Sequence, residues 1–594
     1  MNQPMAPAQL PRWVRRPWAW LALGLVIIYV RGLCIDVMDV DASQYASISM
    51  EMLQHGHWLQ LQHHSADYLD KPPLLFWTSA LSFAVFGLHN WSYKLPSLLA
   101  AIAAVYAVYR FSLLFYARAT ARNAAFILAS CIGLILICND VRTDTLLLGM
   151  TTGAMWQLAA YLQPARHADG DPGATANDRA GGRARTGHLV LAAVFIGLAM
   201  VAKGPIGLVA PGFAVGVHLA LHRDWRRLFQ WQWLLGGAVV AVVLLPMCWG
   251  LYQQFDLQPN TLINGQTGVS GLKFFFWDQS FGRITGASPF RNGASPFYFL
   301  HVYLWAFLPW SLLLIGALWQ RISAVVRQRF RLPRGDEAYS LGGFVLTFIA
   351  LSLSRYKLPH YIFLTLPWAA ILTARWLATP AALGRAWWRG QYVVFVGLSL
   401  VLLWLLRGVF PTGNVLLWAV VLAIFGSLLV ICWHQPFPPA TERLVQRSVL
   451  AAVGTAFVLN FHFYPNLLPY QSTAVVPRFA RTAHIASNRL ASYNREGDAM
   501  DFYAGQVVPV IPTAAAVRQR AVASGDYWLY TDVPGRARLD SAGVAYTETG
   551  AFQHFEVALL TGTFLNASTR SKALQPVYLL RILSQQPSAG SRPR

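Results

Sequence analysis

Residues 36–53 read DVMDVDASQYASISMEML, residues 68–77 read YLDKPPLLFW, and residues 91–97 read WSYKLPS. An apolar run, Trp18–Cys34, precedes this stretch, and another, Leu95–Phe115, follows it. A membrane-spanning helix needs roughly 17–25 apolar residues. The stretch is therefore a long loop joining two spans. It holds Asp36, Asp39, Asp41, Glu51, Asp67 and Asp70, with Lys71 beside the last. Acids at the mouth of a membrane bundle are costly unless they are hydrated, paired or used.

The rest of the chain has the same character. Of 594 residues, 55% are hydrophobic and 12% charged, and mean hydropathy is +0.41. A soluble protein of this length needs more charge to cover its surface. Tryptophan, present 23 times, suits side chains that line two membrane interfaces. Net charge is +22, but no basic soluble domain stands out, so a nucleic-acid partner is not expected. The five cysteines lie in or beside apolar runs without CxxC spacing, which argues against a disulfide framework or a zinc finger. The arginines before Trp18 resemble a signal peptide, but the run lacks a small-residue cleavage site and reads as an uncleaved first helix.

Counting apolar runs gives about 13 spans. Alternate loops carry arginine: 118 and 122; 166–185; 223–227; 321–334; 385 and 389; 443 and 447; and the N-terminus. By the positive-inside rule these are cytoplasmic. The opening loop then faces outward, with the turns at 139–144, 202–205, 251–298, 354–360 and 407–414. QYASISMEML within it reads as a short amphipathic helix lying at the interface. Residues 164–188 read as a flexible linker. After Tyr464 the composition alternates strand-like and helical stretches, predicting a helix over 478–490. This divides the chain into a transmembrane domain, 1–465, and a small soluble α/β domain, 466–594, on the outer side.

The outward turns gather possible chemistry. Asp41 sits where a helix starts, whereas Asp36 and Asp67 read as surface acids. Lys71 is followed by Pro72 and Pro73, which fix an extended backbone at the membrane boundary. A point cation held there suits a lipid phosphate, although interfacial lysines also commonly snorkel. The turn NDVRTD (139–144) holds two acids and an arginine. Asp144 could cap the next helix or face Asp41 across the mouth. Lys203 in KGP is expected to pair with an outward acid. Arg283, in the long loop, is a candidate phosphate contact. Arg355 and Lys357, in SRYKLPHY, run against the positive-inside bias, so an anion is expected near them. Asp39-Val40-Asp41 matches the short DxD metal pattern. A divalent metal beside Asp39 and Asp41 is the less favoured reading, and no metal ligand is assigned.

DVDASQYASISMEML, YLDKPPLLFW, WSYKLPSLLA, VRTDTLL, AKGPIGL and SRYKLPHY, in this order, resemble bacterial membrane glycosyltransferases of the GT-C class. The resemblance is to the aminoarabinose (lipid A) transferases and the protein O-mannosyltransferase-like family, over roughly the first two-thirds of the chain. It implies a polytopic α-helical membrane protein of about 13 transmembrane helices with a C-terminal periplasmic α/β domain, in a bacterial inner membrane, N-terminus cytoplasmic. It implies an inverting transferase that moves a sugar from an undecaprenyl-phosphate-linked donor to a lipid, glycan or protein acceptor. Asp41 then matches the first-loop catalytic acid and Tyr45 the tyrosine four positions on. Lys71 matches the lysine that contacts the polyprenyl phosphate, and Asp144 the second-loop acid. Lys357 and Tyr361 match a basic–aromatic pair near the donor, and Arg283 a phosphate-binding arginine. The family commonly has Glu after its Asp and Arg before its Tyr; here these are Ala42 and Gln44. The rival reading is a transporter or lipid flippase. That predicts ionisable residues deep inside spans and symmetry between halves, whereas these charges gather at one mouth.

Overall fold

The computed structural model describes residues 17–163, 175–260, 262–263, 265–279, 282, 292–333, 335–379, 384–429, 441–495 and 497–584. Arg283 lies outside these residues, as does most of the 164–188 linker's first half. Among the described residues, five helices are long and apolar enough to cross a membrane: Asn90–Phe115, Ala184–Lys203, Gln232–Asp256, Ala386–Val409 and Thr441–Tyr470. Two bent pairs bring the number to seven if each is one span. The chain is a polytopic α-helical membrane protein.

Several apolar runs form helices that differ from simple spans. The run 145–162 is helix α7 (Thr143–Leu162), with α1 to α6 being Pro17–Leu33, Asp41–His55, Leu74–Phe86, Asn90–Phe115, Arg118–Ser130 and Ile132–Asn139. In α7, 17 of 20 residues are buried, against α4 and the next helix, α8 (Thr175–Lys203). Protein rather than lipid surrounds it. Its Thr151 and Thr152 hydroxyls therefore bond back to the carbonyls of Leu147 and Leu148 at 2.7 and 2.6 Å. Gly149 lets α4 come close, since a Cβ there would stand 2.7 Å from the Ala100 carbonyl oxygen. The run 124–138 bends by 48° between α5 and α6. The amide of Ile132, released by the bend, donates to the Leu308 carbonyl at 3.1 Å.

The first loop is more folded than a loop. It contains α2, a two-strand hairpin (β1 Gln62–His63, β2 Ala66–Asp67), α3 and the first turn of α4. Pro73 adopts helical dihedrals as the cap of α3, so the proline pair enters a helix rather than continuing extended. Lys94 is fully buried, and its Nζ donates to the carbonyls of Ile35 (2.8 Å) and Gly32 (3.3 Å) at the C-terminal end of α1. A cation there meets the negative end of the helix dipole. The amphipathic stretch forms α2 but does not lie on the interface. Ten of its 15 residues are buried, between α3 and the helix Asp498–Ala504 from the C-terminal region.

That region forms a mixed five-stranded sheet. Its strands are β3 (Leu490–Tyr493), β4 (Val510–Ile511), β5 (Tyr527–Asp532), β6 (Tyr546–His554) and β7 (Gln575–Ile582), in the order β4-β3-β5-β7-β6. β3 runs parallel to β4 and β5; β7 runs antiparallel to β5 and β6. The helix expected over 478–490 instead covers Ser472–Thr482, and Leu490 already belongs to β3. Asp36 and Asp67, read as surface acids, are both used. Asp36 takes a two-pronged ion pair from Arg478 at 2.6 and 2.5 Å. Asp67 accepts from Gln254 Nε2 at 2.7 Å. The strand-like composition signalled the sheet, but the partners of these acids are too distant in sequence to be read from it.

Candidate active site

Asp41 is the first residue of α2, where a carboxylate suits the positive end of the helix. Arg142 lies just before α7. Its Nη1 donates to Asp41 Oδ2, while its Nε and Nη2 donate to Asp140 Oδ2 at 3.1 and 2.8 Å. One guanidinium thus spans two acids, a geometry that arginine's planar fork supports and lysine's ammonium does not. Asp41 keeps 35% of its side-chain surface exposed, so an incoming group can reach it. Arg142 was visible in NDVRTD as a basic residue in an outward turn. Its reach to Asp41, 101 positions back, was not.

Two residues further, Asp144 sits in the first turn of α7 and is almost fully buried. Lys203, the last residue of α8, donates to Asp144 Oδ1. Its Nζ also lies 3.8 Å from the centre of the Tyr361 ring, a cation–π contact. Lys203 therefore pairs with an acid, as its sequence setting suggested. His360 Nε2 stands 3.7 Å from Asp144 Oδ2, a spacing that would suit an ion pair. Burial, reinforced by Lys203, Arg142 and Lys71, instead holds the imidazole pKa well below its ordinary value. His360 is neutral at physiological pH. Its proton affinity is lower folded than unfolded, so its contribution to stability is present above about pH 6.5 and is lost as pH falls below it. His360→Gln should then lose less thermal stability than the wild type between about pH 7 and 5, measured by the unfolding midpoint at each pH.

These residues border two cavities. The first, of about 190 Å³, has Lys71, Asp144, Lys203, Gln279, Ser354 and Tyr361 as its polar lining. Leu147, Ile206, Val209, Phe213, Leu351 and Leu364 are among its apolar lining. The Asp70 carbonyl, next to Lys71, accepts from Gln279 Nε2. The second cavity, about 920 Å³, is lined by Asp39, Asp41, Asp140, Arg142, Lys357 and His360, together with residues 556–560 of the C-terminal region. The Lys357 Nζ donates to the Ala294 carbonyl at 3.0 Å.

The expected residues thus divide. Lys71, Asp144, Lys203 and Tyr361 come together on the first cavity, and Asp41 and Lys357 on the second. The pair Lys357–Tyr361 is split between them. Tyr45 is buried and packs edge-on against Phe76, their ring centres 5.8 Å apart; it lines neither cavity. Arg355 is exposed and also lines neither. Asp39 turns from Asp41 toward the C-terminal region, accepting from Thr473 Oγ1 at 2.6 Å and Ser43 Oγ at 2.7 Å. The DxD spacing therefore gives two carboxylates with separate partners. Sequence reading passed over Arg142, Asp140, His360 and Gln279.

A family model described as dolichyl-phosphate-mannose-protein mannosyltransferase matches residues 18–263. Two curated relatives are undecaprenyl phosphate-alpha-4-amino-4-deoxy-L-arabinose arabinosyl transferases. The one from Edwardsiella ictaluri is 27% identical over 60% of this chain and 58% of its own. The one from Pseudomonas aeruginosa is 25% identical over 92% of this chain and 96% of its own. The chain is similar to these aminoarabinose transferases over most of its length. It spans just over half the length of the first of these relatives and nearly all of the second. The crystal structure of ArnT from Cupriavidus metallidurans bound to undecaprenyl phosphate has the same fold. Its TM-score is 0.68 at 18% identity, covering 97% of this chain and 100% of that one.

Proposed function

We propose that this chain moves a sugar, of the aminopentose class named for its relatives, from an undecaprenyl-phosphate carrier to an acceptor on the outer face of a bacterial inner membrane. The observation that carries this reading is the first cavity, which brings two lysines, Lys71 and Lys203, into one lining with Leu147, Ile206, Val209, Phe213, Leu351 and Leu364. That pairing of charge and hydrocarbon suits a lipid phosphate. The acceptor enters by the second, larger cavity, where Asp41 is reachable.

In the proposed reaction the acceptor oxygen attacks the anomeric carbon and its proton passes to Asp41. The bond from that carbon to the phosphate oxygen breaks, and undecaprenyl phosphate leaves with the electron pair. Configuration at the anomeric carbon inverts. Lys71 and Lys203 meet the charge that develops on the departing phosphate. Asp144 holds Lys203 in place. Arg142 keeps Asp41 aimed, its guanidinium held at the same time by Asp140. Where the acceptor is itself a phosphate, little proton transfer is needed and Asp41 chiefly orients it. Lys357 adds positive charge to the acceptor side, and Arg283 belongs to the same loop that carries Gln279. Tyr45 supports Asp41's helix from the core, and Arg355 offers charge to anionic headgroups at the rim. The proposed topology has about 13 spans, counting the shorter apolar helices, with the N-terminus cytoplasmic and the C-terminal α/β domain periplasmic; alternating arginine loops support it.

Transfer from a labelled lipid-phosphate sugar, with purified protein in lipid vesicles, tests the reading. Lys71→Ala should lower turnover by about 10²–10³-fold, the scale of losing one charge-stabilising group. Lys71→Arg should recover part of it. Unchanged transfer in Lys71→Ala would sink the phosphate assignment. Lipid flux across the membrane without transfer would favour the transporter reading.

A further inference from the structure

Away from both cavities, the hairpin of the first loop meets the C-terminal region through a cluster of imidazoles and carboxylates. His63 Nε2 lies 2.6 Å from Asp498 Oδ1. His64 Nε2 lies 2.6 Å from Asp501 Oδ2 and 3.6 Å from Asp498 Oδ1. The His63 and His64 rings stack with centres 4.1 Å apart, so both present Nε2 to the same carboxylate oxygen. The four side chains are 3–21% exposed, shielded but not sealed from solvent. Glu51 backs the cluster. Its carboxylate accepts from the amides of His64 (3.1 Å) and Ser65 (3.4 Å), both of which take positive φ. The backbone turn that aims the two imidazoles is therefore itself fixed by a buried acid.

We propose that His64, Asp498 and Asp501, whose ligand atoms lie within 4.8 Å of one another, bind one divalent transition-metal ion of the zinc class. The donor set, one imidazole nitrogen and two carboxylate oxygens with a water at the fourth position, suits zinc's preference for N and O ligands in tetrahedral array. Bonds of about 2.0–2.2 Å place tetrahedral ligands roughly 3.3–3.5 Å apart. The 3.6 Å separation of His64 from Asp498 is already near this value, and the 2.6 Å His64–Asp501 pair must open by under about 1 Å. Asp501 is oriented from behind, its Oδ1 accepting from the Val508 amide at 2.8 Å, the kind of outer contact that fixes a ligating carboxylate. The ion would join residues 437 positions apart and pin the helix Asp498–Ala504 to the hairpin of the first loop. Its role is structural, and it stands whichever sugar is transferred.

Untagged full-length protein in detergent, stripped with chelator and then dialysed, is titrated with Zn²⁺ and separately with Co²⁺. About one tightly held ion per chain is expected, with a rise in thermal midpoint on zinc addition. Bound Co²⁺ should show the intense visible bands of a four-coordinate N/O site. His64→Gln and Asp498→Asn should lose the ion and the thermal rise, while His57→Gln, outside the cluster, keeps both. Binding of less than about a tenth of an ion per chain by the wild type overturns the proposal. Full binding in both His64→Gln and Asp498→Asn also overturns it. If these variants do not fold, the wild-type cobalt spectrum decides: an octahedral, weakly absorbing spectrum rejects the site.

Discussion

Asp41→Asn is expected to lower sugar transfer by about 10²–10⁴-fold, the usual contribution of a positioned general base. The substitution keeps the size of the side chain and leaves Arg142 its hydrogen bonds to Asp140. The arginine is thus not stranded, and thermal stability should change little. Asparagine can still accept from Arg142, so geometry survives while the proton acceptor is lost. Turnover should fall more than donor affinity, because Asp41 borders the second cavity and not the one lined by Lys71. An acceptor that is already ionised, such as a phosphate, should narrow the deficit. Full activity with a neutral hydroxyl acceptor would remove Asp41 from the role of base.

Lys203→Met is expected to destabilise the protein by about 3–5 kcal/mol, the cost of leaving one partner of a buried pair uncompensated. Asp144 retains 2% of its side-chain surface and Lys203 15%. With the lysine gone, the carboxylate faces a neutral His360. Asp144→Asn leaves the ammonium buried, though Tyr361's ring still offers its face, so the loss there should be smaller. Combining Asp144→Asn with Lys203→Met removes both charges and should restore much of the stability, with a coupling of about 1–3 kcal/mol. Transfer should not return with it, since the phosphate has lost a cation. Unfolding midpoints of the four proteins, measured beside their turnover, separate the two roles. Strictly additive losses would mean that the pair is not energetically coupled.

Apolar runs and arginine-bearing loops made the membrane bundle legible, because both follow from local composition. Hydropathy did not separate a helix facing lipid from one facing protein, which is why α7 read as an ordinary span. Lys71 and Lys203 stood out because prolines flank each of them in otherwise apolar surroundings. The meeting of Arg142 with Asp41, like that of Asp36 with Arg478, depends on tertiary packing across 101 and 442 positions, and no periodicity encodes such pairs. The second cavity was least legible, since it is shared by the first loop, α6, the turn after Ser354 and residues 556–560.

The burial of α2 bears on how such proteins can be cut and recombined. Gln471 exchanges hydrogen bonds with Val37 and Asp39, Tyr503 with Val37 and Asn90, and the helix Asp498–Ala504 covers α2 itself. A chain stopped after Tyr470 would expose one wall of the helix that begins with Asp41. The two regions are thus not interchangeable parts. A chimera built from two related proteins should inherit the first loop and the residues from Gln471 onward from the same parent, even though some 400 residues of bundle separate them.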